Sequence, residues 1–332
     1  MEVGAYAQGG RSLGERSPSA RRADPVFEVF LTVLAALILV LVGIFFVVLI
    51  VQAEPTLSHS GVFSFAFGNN WDFGNHIYQA LPLLVGTLVI SGISLLIGVP
   101  VAIATALYIT ELAPRRLRTP FTILVDLVAA VPSVVFGLWG IAFLIPHLQG
   151  FEKGLASLLS AIPIIGGGMV AGPNYFIAGL ILAVMILPIV SAISREVMST
   201  VPTDHKEAAL ALGATRWEMI RMAVIPYAKA GIAGGAMLGL GRAIGEAIAV
   251  SYVIGGNATL IHHVFGQGDA LAPVIARQFN EADSGQRGAL IAAGLLLFIL
   301  TLLINFAARG FVNRGRRGRR DAGAGAAGVM AA

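Results

Sequence analysis

A chain of 332 residues could hold two soluble domains, but only 12% of this one is charged, about half the roughly 25% usual for soluble proteins. Its 57% hydrophobic content and mean hydropathy of +0.84 exceed what one soluble core can hide, which leaves the lipid bilayer as solvent. The lack of cysteine excludes disulfides, thiolate metal sites and Cys nucleophiles, and the net charge of +4 has meaning only once its location is known.

About twenty apolar residues make a spanning helix, at ~1.5 Å rise across a ~30 Å hydrocarbon core. Runs of that kind lie at 29–51, 81–109, 121–148, 175–193, 231–254 and 289–308, so six transmembrane helices are expected in an all-α, polytopic fold. Val51-Gln52-Ala53 resembles a signal-peptidase site, but the run before it is longer than the ~7–15 residues of a signal h-region, and an uncleaved first helix is expected.

The basic residues fall on one side of these spans. Eighteen of the 22 lie before the first helix, in the second and fourth loops, or in the tail. Only Lys153, Arg277 and Arg287 lie on the other side, and Arg242 is within a run. By the positive-inside rule both termini are cytoplasmic, so the basic charge signals topology and does not mark nucleic-acid binding. Segments 1–25 and 312–332 lack apolar periodicity and are expected to be disordered, solvated cytoplasmic arms. The first helix and its external loop occupy 26–76, where Phe63, Phe65, Phe67, Trp71 and Phe73 suit interfacial anchoring. A five-helix unit fills 77–311. His262-His263 invites a metal reading, but adjacent side chains point differently and no third ligand is evident, so no metal site is expected.

The fourth loop carries the strongest local pattern. Asp204 with Glu207 three residues on reads as a capping-box start of a short helix, with Asp204 as the cap. Gly213 suits the left-handed residue that ends it, and Thr215 with Glu218 reads as a second capping box. Small Ala208, Ala209 and Ala211 make the first helix narrow enough to enter a partner's groove. An amphipathic linker between spans is the alternative.

Three charges fall within the apolar runs: Asp126, Arg242 and Glu246. Each costs ~2.5–3.5 kcal/mol in hydrocarbon and so requires a partner or water. Arg242 and Glu246, four apart, would share one helix face, either as a structural ion pair or as an anion site in which the guanidinium offers paired donors to an oxyanion. Glycines 231, 234, 235, 239, 241 and 245 permit close helix approach or unwinding around them. Pro132, beside Ser133, and Pro188 are expected to interrupt the third and fourth spans. Asp126 is expected to snorkel or to hydrogen-bond between helices. The three lysines, Lys153, Lys206 and Lys229, do not form a Gly-Lys-Ser/Thr phosphate loop, so the chain is not expected to hydrolyse ATP.

Glu207-Ala208-Ala209, then Gly213 and Ala223-Val224-Ile225-Pro226, resembles the EAA loop (about 202–226) of ABC-importer permeases, with Ala223 and Ile225 where that pattern usually has Ile and Leu. Leu240-Gly-Arg-Ala-Ile-Gly-Glu246, then Ala249-Val250 and Gly255-Gly256-Asn257, is similar to the PstC-type permeases of phosphate-uptake ABC systems, as is the stretch from Asp126 to Gly140. Ala247 stands where that family usually has Thr. The resemblance implies a type I ABC-importer permease fold in a bacterial inner membrane. It also implies a coupling role for Glu207, Ala208, Ala209 and Gly213, and a substrate pathway that includes Arg242, Glu246 and Ser133. The partners it implies are a PstA-like sister permease, two copies of a PstB-like ATPase carrying ATP and Mg²⁺, and a PstS-like phosphate-binding protein. A permease for molybdate, sulfate or a phosphonate, or an ion-driven secondary transporter, are the alternatives.

Overall fold

The computed structural model describes residues 18–162, 168–170 and 172–330, with side chains for 27–162, 168–170 and 172–310. It is all-α apart from one small hairpin, and six helices are long and apolar enough to cross a membrane: Phe27–Ser60, Leu81–Leu112, Ser133–Leu158, Tyr175–Ser199, Arg216–Gly245 and Ser284–Gly310. Of the two arms expected to be disordered, residues 1–17 and 331–332 lie outside the described residues. The remainder is helical backbone, and its Ala and Arg residues favour helix.

The chain divides into two compact units, Met1–Val51 and Gln52–Ala332. Helix α1 (Pro18–Ser60) begins in the first. From Phe27 to Val51 its residues are exposed or half-buried, and its apolar window reaches a mean hydropathy of 3.5. A helix apolar on every face suits surrounding lipid.

The second unit continues with α2 (Val62–Phe67) and strand β1 (Trp71–Asp72), which pairs antiparallel with β2 (Ile77–Tyr78). The aromatic residues of this loop divide by role. Phe63 and Phe67 are exposed, but Phe65 and Trp71 are buried in edge-to-face contact and so serve the local core instead of a membrane interface. Next come α3 (Leu81–Leu107), extended by a wide π-helical turn at Tyr108–Leu112, and α4 (Arg115–Ala130). Helix α5 (Ser133–Trp139) leads through a second π turn (Gly140–Leu144) into α6 (Ile145–Leu158), and α7 (Tyr175–Ser199) follows. Short α8 (Thr203–Ala211) and α9 (Arg216–Met219) precede a third π turn (Ile220–Val224) and α10 (Ile225–Gly245). The chain closes with α11 (Ile248–Val253), α12 (Leu271–Gln278) and α13 (Ser284–Met330).

Helix α7 is the hub, packed between α3 and α10, with Ile177, Ile181, Leu182, Ile186 and Val190 buried in the main core. Small residues permit the approach: a Cβ at Gly98 would lie 2.9 Å from the Ala183 carbonyl oxygen, and one at Gly239 would lie 2.8 Å from Val190. Pro188 does not interrupt α7, contrary to expectation. The helix continues through it, since proline removes one N–H and the packed neighbours hold the rest of the ladder.

All six spans differ in their limits from the expected runs, and two of them lose a stretch at one end. The third begins at Ser133 instead of 121, because Pro132 separates α4 from α5 and leaves α4 as its own amphipathic segment. The fifth ends at Gly245 instead of 254, because the backbone turns extended at Glu246 (ψ 118°) before α11 begins.

Candidate functional site

The two breaks lie side by side. Helices α5 and α11 pack in parallel: a Cβ at Gly137 would lie 3.2 Å from the Ala249 Cα and 2.6 Å from the Tyr252 ring, and Gly140 abuts Val253. One helical turn back from that contact, Ser133 at the start of α5 stands level with Glu246 just before α11. Both half-helices thus begin at one end of the pair, where their first backbone N–H groups lack partners within the helix. Ser133 and Glu246 are half-buried.

Arg242 and Glu246 do not form the structural ion pair, one of the two arrangements expected of them. Because α10 stops between them, they no longer share a helix face, and among the described residues no ion pair joins them. The Glu246 carboxylate instead accepts from the Ala249 N–H (3.2 Å), capping α11, whose own N-cap residue, Ala247, has no side-chain acceptor. Negative charge at a helix N-terminus is favourable. Arg242 is exposed, and Cβ atoms added at Gly234, Gly241 and Gly245 of the same helix would meet nothing within 4 Å. Glycines 231, 235 and 239 abut α7.

Asp126 is not within any of the six spans. It lies on α4, and its Oδ1 accepts from Arg195 on α7 at 2.8 Å, so an inter-helix bond forms, from a residue outside the spans to one within the fourth. The spans also run past their apolar windows and include charges the sequence reading places outside, such as Glu111, Glu152 and Arg195. Glu152 is fully buried and accepts from the Asn174 side-chain amide (2.9 Å), whose Oδ1 caps α7 by accepting from the Ile177 N–H (2.9 Å).

The fourth loop folds nearly as its residues dictate. Gly213 has φ +84°, its N–H reaches the Leu210 carbonyl (3.0 Å), and the Ala214 N–H reaches that of Ala209 (3.2 Å), the paired bonds of a Schellman helix end. Thr215 and Glu218 form the expected capping box. Asp204 is not the cap of α8. Pro202 occupies that position, fixed at φ −56°, and Asp204 falls in the first turn, where its charge still suits the helix dipole. Glu207 and Ala208 are exposed, Ala209 is half-buried, and Leu210, Leu212 and Trp217 extend an apolar surface around them.

A second buried charge, absent from the sequence reading, closes the segment after α11. Asp269 is 2% exposed, paired with Arg277 on α12, and its oxygen also accepts from the Ala270 N–H (2.9 Å). Burial pushes its carboxyl up to about 6, and Arg277 only partly opposes that. Next to it the Leu271 N–H donates to Thr87 of α3 (3.0 Å), and the Asp269 carbonyl lies so close to Gly86 that no side chain fits there. Among the described residues no group of three or more His, Asp or Glu is placed to hold a metal ion.

Comparison with known proteins places this architecture. Residues 98–317 match the family model described as the binding-protein-dependent transport system inner membrane component. The chain is 35% identical over 285 residues to the phosphate transport system permease protein PstC of Haemophilus influenzae, covering 85% of this chain and 90% of that protein. It is 40% identical over 297 residues to PstC 2 of Mycobacterium tuberculosis, covering 87% and 92%. Its fold resembles that of a bacterial ABC transporter involved in the import of the acidic polysaccharide alginate, with TM-score 0.56, 20% identity, and coverage of 90% of this chain and 99% of that one. The six spans, the helix–glycine–helix loop and these similarities agree: the chain belongs to the binding-protein-dependent transport system inner membrane component family and is a homologue of its PstC permeases.

Proposed function

We propose that this chain is the PstC-type permease of an ATP-driven inorganic phosphate importer, forming half of the translocation pore in a bacterial inner membrane with both termini cytoplasmic. The observation that carries the reading is Arg242: an exposed guanidinium near the end of α10, released from Glu246 by the helix break before α11. A cation there offsets an oxyanion that has shed its water. Ser133 supplies a hydroxyl at that level. Glu246, engaged in capping, holds the start of α11 and keeps a negative charge near enough to prevent the anion from binding too tightly to leave.

The open face of α10 is completed by a PstA-like sister permease. Two PstB-like ATPases bind ATP and Mg²⁺ and dock against Glu207, Ala208 and Ala209, with Gly213 setting the turn, and a PstS-like protein delivers phosphate to the outer loops. The names of the relatives favour phosphate over molybdate, sulfate or a phosphonate. An ion-driven secondary carrier would have no use for the exposed α8–Gly213–α9 wedge.

Radiolabelled phosphate uptake tests the role of Arg242, with assembly checked by co-purification of the ATPase. Arg242→Gln should assemble and fail to transport, and adding Glu246→Gln should not rescue it, since no cation remains for the anion. Restored uptake in the double variant would reduce Arg242 to a partner of Glu246 and sink the anion-site reading.

A further inference from the structure

Helix α8 is weakly attached to the rest of the protein. None of its residues is buried, and its hydrophobic contact is Ala209 packed partly against the cluster of Met198, Met219, Ile220 and Val224. One polar link reaches away from it: Lys206 Nζ donates to Glu111 Oε1 at 2.7 Å, joining residues 95 apart in sequence. The Glu111 side chain is 8% exposed and that of Lys206 is 21% exposed, so this pair is better shielded from solvent than a surface salt bridge. Removing one member would leave the other charge poorly solvated.

The position of Glu111 gives the link a direction. It lies in the π-helical turn that ends the α3 span, where the Ala113 N–H reaches back five residues to the Tyr108 carbonyl (2.7 Å). Such turns are joints that permit adjustment within an otherwise stiff helix. At the other end of α3, Gly86 and Thr87 lie under the buried Asp269–Leu271 segment, with Thr87 accepting from the Leu271 N–H. The 24 residues from Thr87 to Glu111 span ~36 Å at the helical rise. One helix therefore touches the α8 wedge at one end and the clamped segment after α11 at the other, and its small-residue packing along α7 suits sliding between two packed positions.

We infer that Lys206 and Glu111 are positioning residues that transmit the movement of α8 into α3, and through α3 to the segment at Asp269–Leu271. This rests on the proposed importer function. A pair that served only to hold the fold together would affect assembly; a transmitting pair affects the response of the ATPase to delivered substrate.

The test uses the full complex in nanodiscs, with ATP hydrolysis measured with and without the phosphate-loaded binding protein. Glu111→Gln should co-purify the ATPase and retain basal hydrolysis, while stimulation by the loaded binding protein falls by roughly 5- to 150-fold, the usual range for coupling between sites. Reversing the pair, Glu111→Lys with Lys206→Glu, should restore most of the stimulation. Wild-type stimulation in Glu111→Gln, or loss of ATPase co-purification in Glu111→Gln that the reversed pair does not repair, would overturn the inference. A wild-type chain that recruits no ATPase would overturn the importer reading and the link with it, an outcome separable from defects confined to the variants.

Discussion

Replacing Gly213 by valine tests the coupling wedge at the one residue whose backbone decides its shape. Its φ of +84° lies in the region that L-residues avoid, and the two bonds that end α8 depend on that conformation. A Cβ added there meets nothing within 4 Å, so the substitution acts chiefly through the backbone. The left-handed conformation costs an L-residue roughly 1–2 kcal/mol, which lowers the population of the docked turn by about 5- to 30-fold. The assay is co-purification of the ATPase with tagged chain across a range of ATPase concentrations, with membrane insertion followed separately. The apparent affinity should fall by that factor in Gly213→Val while insertion is unchanged, and Gly213→Asn should retain more because Asn tolerates positive φ. Wild-type recruitment by Gly213→Val, or equal losses in Val and Asn, would refute the reasoning.

Two further predictions concern the packing of α5 against α11 and the charge of the segment after α11. Gly137→Val places carbon where α11 already lies, 2.6 Å from the Tyr252 ring, and overpacking of this kind costs about 1–3 kcal/mol, so thermal stability in detergent should fall with transport; an unchanged Tm would mean that α5 and α11 are not in contact. Asp269 has a carboxyl raised above its ordinary value to about 6, so the folded state holds the proton more tightly than the unfolded one. Its contribution to stability is full at pH below the ordinary carboxylate value of 3.8 and is lost as the pH rises through 6. Hydrogen exchange of residues 268–278, corrected for intrinsic rate, should show weaker protection at pH 7.5 than at pH 5, and Asp269→Asn should remove that difference; protection that rises with pH would reverse the sign.

The number of spans was legible because twenty apolar residues have few alternatives, and the Gly213 turn because only glycine takes its φ without cost. Hydropathy could not find the break at Glu246, since the apolar run continues through Ala249 and Val250 on the far side. Nor could it separate α4 from the third span, where residues 121–130 look as apolar as a membrane helix and only Pro132 marks the boundary. The separation of Arg242 from Glu246 follows from that hidden break, as i,i+4 spacing implies a shared face only while the helix is continuous. The links Lys206–Glu111 and Arg195–Asp126 join different helices across 95 and 69 residues of sequence, and no local spacing signals them.

Phosphate import is tested most directly in proteoliposomes that contain this chain with its sister permease and ATPase, supplied with the binding protein outside and ATP inside. The account predicts accumulation of radiolabelled phosphate that requires ATP and is lost in Arg242→Gln, with sulfate and molybdate excluded. Accumulation of sulfate or molybdate in place of phosphate, or phosphate entry that continues without ATP, would contradict it.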